Sequence, residues 1–162
     1  MRRLAVLLLA AAASTAVPLS AQATHPDFSG KWNLDVSKLD AQMAQAGISS
    51  ATLTITQDAK TLKQEQTVAS SVMGNQAYTV NYNFEGESKN TVSQGPMSMD
   101  MTSTASWDGP ALVINTKASV QGQDVQRTDR YSLSADGKVL TIDTNMNIMG
   151  QSIALKQVFN KA

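Results

Sequence analysis

The chain has 162 residues, with 13 basic and 13 acidic side chains, a single histidine and no cysteine. That length suits one domain with a buried core. The lack of cysteine excludes disulfides, a thiol nucleophile and thiolate-ligated metal, and the lack of a basic cluster removes the electrostatic footprint of a nucleic-acid binder.

The chain opens on Arg2 and Arg3, an apolar run over residues 4–13, Pro18 and the small-residue triplet Ala21-Gln22-Ala23. This is the tripartite layout of a secretory leader, with cleavage expected after Ala23. The apolar run is too short to cross a hydrocarbon layer of roughly 30 Å. Residues 1–23 therefore read as a signal peptide and 24–162 as a single exported domain, periplasmic or extracellular, without an integral membrane segment. No cysteine follows the leader to carry a lipid anchor.

Beyond the leader, apolar and polar residues alternate with period two and break at turn signals, the pattern of half-buried antiparallel strands. Ten segments follow this pattern: 28–36, 51–57, 61–69, 76–84, 87–94, 97–107, 111–119, 125–133, 138–146 and 152–159. The turns at 108–110, 121–123, 136–137 and 149–150 each place a glycine where a tight reversal needs positive φ. Segment 87–94 is polar on both faces. Only 37–47 departs from the alternation: Ser37 can cap, Leu39, Met43 and Ala46 fall at helical spacing, and Gly47 can end the turn. A flat meander would accumulate twist and leave two open edges. The expected fold is all-β, an antiparallel meander β-barrel of about 8–10 strands, with one short helix after the first strand lying across an open end.

Strand parity sorts the side chains into two faces. Phe28, Trp32, Leu34, Val36, Leu53, Ile55, Tyr78, Val80, Tyr82, Met97, Met99, Met101, Trp107, Leu112, Ile114, Tyr131, Leu140 and Phe159 fall inward, while Ser98, Asp100, Thr102, Thr104 and Ser106 fall outward. The same parity carries Gln64, Gln66, Thr116, Arg127, Asp129, Thr144 and Gln157 inside. A dry core could not hold so many polar groups without pairing them, whereas a partly hydrated cavity could.

The opening Phe28-Ser29-Gly30-Lys31-Trp32-Asn33-Leu34 resembles the F-x-G-x-W-x-L start of the calycin group, which includes fatty-acid-binding proteins and, through G-x-W, lipocalins. The likeness continues through Leu53-Thr54-Ile55-Thr56-Gln57 and the closing residues 155–161, and is greatest to an exported bacterial lipocalin-like branch. The resemblance implies a ligand-holding barrel with Trp32 packed across its closed end. Two departures stand out: 37–47 has room for one helix where fatty-acid-binding proteins have two, and Gln157 and Phe159 replace the R-x-[FY] pair that holds a ligand carboxylate in many of them.

The candidate ligand contacts are Arg127, Asp129, Gln157, Tyr78, Tyr82, Met97, Met99 and Met101. Arg127 can anchor a carboxylate or polar head group through its planar donors, or it can simply pair with Asp129. The run Met97-Ser98-Met99-Asp100-Met101 puts three thioethers on one face, which suits Cu(I) or Ag(I), though methionine also fills irregular apolar space. Catalysis finds no footing: His25 sits just past the leader, where termini are usually mobile, and Glu85 and Glu87 flank Gly86 in a solvated turn. The sequence therefore reads as a non-enzyme, with no cofactor or metal site, that binds a small hydrophobic or amphipathic molecule. The alternatives are a Cu(I)/Ag(I) carrier and a structural or inhibitory module that meets a partner protein through its rim loops.

Overall fold

The computed structural model describes residues 25–94, 97–120 and 122–162, without the side chains of Gln94, Met97 and Val120. The leader expected over 1–23 and the turn residue Gln121 lie outside the described residues. Ten strands form one antiparallel sheet: β1 (Gly30–Leu34), β2 (Ile48–Gln57), β3 (Thr61–Ser70), β4 (Gln76–Asn83), β5 (Glu87–Gln94), β6 (Met97–Asp108), β7 (Ala111–Val120), β8 (Gln123–Leu133), β9 (Val139–Ile148) and β10 (Gln151–Lys161). Their order is β4-β3-β2-β1-β10-β9-β8-β7-β6-β5, so the first and last strands pair and the sheet curls into a nearly closed barrel.

β4 and β5 lie alongside one another without a backbone ladder. Side chains of β5 bridge the seam instead. The Asn90 amide accepts from the Asn81 N–H at 2.8 Å and donates to the Asn81 carbonyl at 2.9 Å, which mimics a strand residue. One step toward the turn, the Ser88 hydroxyl accepts from the Asn83 N–H at 2.6 Å. This explains a strand that reads as polar on both faces: Ser88 and Asn90 supply the missing ladder, and Val92 alone adds an apolar side chain to the core.

The barrel's two ends differ. At one end Phe28, Trp32, Leu53, Leu112, Leu140 and Phe159 are fully buried. The Trp32 indole N–H donates to the Phe28 carbonyl at 3.0 Å, and the Lys161 ammonium stands 5.2 Å from the Trp32 ring. Gly30 is required beside it. Its φ is +139°, a conformation that other residues rarely adopt, whereas the nearest atom to an added Cβ, Lys161 Cε at 3.2 Å, belongs to a flexible side chain that can give way. Gln57 ties down the segment entering β1, accepting from the Phe28 N–H and donating to the Pro26 carbonyl, both at 3.0 Å.

The opposite end carries the β1–β2 connection. Where a single helix was expected over 37–47, there is a 3-10 turn at Val36–Lys38, capped by Asp35, followed by helix α1 (Ala41–Gln45), capped by Asp40. Ser37 is not the cap: its hydroxyl donates to Asp35. Extended backbone at Leu39 and Asp40 separates the turn from the helix, and Val36, which opens the turn instead of continuing β1, is 49% exposed rather than inward. Met43 is buried, and Gly47 ends the segment at φ +66°, as its position implied. Among the described residues no helix is long and apolar enough to cross a membrane.

Candidate binding cavity

The inner wall changes character between the dry end and the helix end. Leu62 on β3 is followed on the same face by Gln64 and Gln66, and Ile114 on β7 by Thr116, so the apolar lining gives way to amides and hydroxyls. These groups satisfy one another. Tyr131 donates to Gln64 at 2.6 Å, Gln64 to Gln66 at 3.2 Å, and Tyr78 to Gln66 at 2.7 Å, a chain linking β8, β3 and β4. Ser103 and Thr116 share a hydrogen bond of 2.8 Å between β6 and β7.

Above this tier is a cavity of about 100 Å³. Tyr78, Tyr82, Met99, Met101, Arg127 and Asp129 line it, so six of the eight sequence candidates converge there from β4, β6 and β8. Gln157 does not join them. It stands opposite Ile142, nearer the closed end, on the inward register but away from this wall. Met97 lies in β6, but its side chain is outside the described residues. Val80, Val92, Gln64 and Thr116 complete the wall. Parity had already turned Gln64 and Thr116 inward, and that was the signal available for them. Val92 was hidden in a strand of mixed polarity.

Asp129 is 1% exposed, the only buried charged residue among those described. Arg127 Nε donates to Oδ1 at 2.8 Å and stands 2.7 Å from Oδ2, and the Thr144 hydroxyl donates to Oδ1 at 2.5 Å. The pair is thus formed, but it is not a solvated rim contact. Burial works against the Arg127 charge, yet the adjacent Asp129 carboxylate outweighs it and raises the guanidinium pKa, so Arg127 stays cationic. Its side chain remains 36% accessible. No bond to its two Nη groups forms among the described residues, and no fully buried side-chain nitrogen there lacks a partner, so the Nη donors are open for contact. The same holds for the Tyr82 hydroxyl. Burial raises the pKa of Tyr78, Tyr82 and Tyr131, which keeps all three phenols neutral.

The remaining candidates stay apart from the cavity. His25 stacks on Trp107 at 4.1 Å, near the closed end, where Phe28 and Phe84 also pack on the indole. Glu85 and Glu87 are exposed around Gly86 in the β4–β5 turn. Among the described residues no group of three or more His, Asp or Glu side chains could hold a metal ion.

Ten antiparallel strands wound as a meander around a lined interior make a nearly closed β-barrel. Three solved structures share it. The zebrafish ileal bile acid-binding protein complexed with cholic acid is similar at a TM-score of 0.56 and 16% identity, over 83% of this chain and 98% of that one. The secretory abundant heat soluble protein 4 of Ramazzottius varieornatus gives 0.53 and 14%, over 83% and 94%. The Schistosoma mansoni fatty acid binding protein in complex with arachidonic acid gives 0.50 and 15%, over 83% and 96%. No protein-family model and no curated protein matches the sequence.

Proposed function

We infer that this chain binds a small hydrophobic or amphipathic molecule inside its barrel, without transforming it, in an extracytoplasmic compartment after loss of residues 1–23. The observation that carries this reading is a cavity with aromatic, aliphatic and thioether walls that also presents accessible Nη donors of Arg127. Such a site fixes the polar end of a ligand and shelters its apolar part. The bile-acid and fatty-acid complexes of two neighbours support the same use of the interior. At about 100 Å³ the cavity is smaller than the roughly 150 Å³ that accepts benzene in an engineered protein core. It therefore takes a polar group with a few carbons, and a longer tail requires Met99 and Met101, unbranched and adaptable, to move aside.

A second reading, docking on a partner protein, is favoured by the rim. The large exposed hydrophobics Val36, Val72, Met73 and Met149 all stand at the helix end of the barrel.

Native mass spectrometry of protein purified from its own host separates these readings. An organic molecule retained on a chain that begins at Thr24 is the expected result. A chain that retains Met1 contradicts export, and a bound metal in place of an organic ligand favours the carrier alternative.

A further inference from the structure

This inference rests on the reading that the cavity binds a small amphipathic molecule, and it concerns the polar end of that molecule. The charged side chains on the cavity wall are Arg127 and Asp129, and they are spent on each other. Asp129 is fixed by burial and by donors from Arg127 Nε and the Thr144 hydroxyl. A ligand reaching the open Nη groups meets a guanidinium whose charge is already compensated, with an immobile carboxylate just behind it.

A second carboxylate entering there would shed its hydration shell and share one cation with Asp129, in surroundings where like charges repel far more than in water. A carbonyl, amide or hydroxyl uses the same N–H donors and meets neither penalty. The accessible Tyr82 hydroxyl, kept neutral by burial, offers such a group a further partner. Gln64, Tyr78 and Thr116 add no charge to the wall. We propose that the cavity selects uncharged, hydrogen-bond-accepting head groups over carboxylates, and that Asp129 is the residue that sets this specificity.

The test compares hexanamide, hexanol and hexanoate at neutral pH by calorimetric titration of the wild type and of Asp129→Asn. The wild type should bind hexanamide and hexanol about tenfold or more tightly than hexanoate, a gap of roughly 1.4 kcal/mol. Asp129→Asn should erase or reverse that ratio by strengthening hexanoate. The ratio is internal to each protein, so a general loss of stability in the variant does not produce the change, and the wild-type ordering stands as evidence even where the variant fails to fold. Preferential binding of hexanoate by the wild type, or an unchanged ratio in Asp129→Asn, overturns this specificity while leaving the binding reading in place. Failure of all three ligands to bind overturns both.

Discussion

The two ends of the Arg127–Asp129 pair sit in different surroundings, and this makes their loss unequal. Asp129 is buried, whereas about a third of the Arg127 side chain is accessible. Arg127→Met strands a desolvated carboxylate with Thr144 as its remaining donor, a change of the kind that costs about 3–5 kcal/mol. Asp129→Asn leaves a cation that water can reach, and should cost about 1–2 kcal/mol. Urea denaturation of both variants checks the asymmetry; equal losses would place the two groups in equivalent surroundings. A second consequence concerns pH. The chain's three tyrosines are Tyr78, Tyr82 and Tyr131, and burial raises the pKa of each. In the unfolded chain they ionise near their ordinary value of about 10. The fold's preference for neutral phenols is therefore fully kept below that pH and is lost as pH rises above it. Phenolate absorbance should stay low past pH 10 and then climb together with loss of circular dichroism, whereas a simple titration of the folded protein near 10 would contradict the buried placement.

At the scale of elements, the seam between β4 and β5 is where backbone pairing is replaced by side chains. Asn90→Ala removes both bonds to Asn81, each worth about 1 kcal/mol. It should lower stability by about 1–2 kcal/mol and speed hydrogen exchange at the Asn81 amide. Unchanged protection at that amide would mean another group holds the seam. This was the part of the fold least legible in the sequence. Alternation reports which face a side chain takes, and it located the ten strands and the inward Gln64, Gln66, Thr116 and Asp129. It says nothing of a Ser or Asn that turns sideways to a neighbour's backbone, so β5 read as a strand with no buried face. The short helix read over 37–47 is present as α1, and only the 3-10 turn ahead of it was not legible in the helical spacing. Asp35 and Asp40 are both good caps five residues apart, and each opens its own turn, a 3-10 turn at Val36–Lys38 and then α1.

Across the whole molecule, polarity rises along the barrel axis. A dry end built on Trp32 and Phe159 gives way to the glutamine–tyrosine tier, and that tier to the cavity at Arg127. The gradient was visible as polar residues carried inward by parity. The pairing of Arg127 with Asp129 was one of two open readings, because residues two apart on a strand share a face but need not touch. The gradient makes the interior, rather than the rim, the place where a ligand should register. The most direct test is a protein-observed NMR titration with hexanol, following the Met99 and Met101 methyl groups and the Arg127 Nε–H, in the wild type and in Val80→Phe, which fills the cavity from its wall. Saturable shifts at all three sites in the wild type, lost in Val80→Phe, are the predicted result; shifts confined to Val72, Met73 and Met149 on the rim, or unaltered by Val80→Phe, would contradict binding inside the barrel.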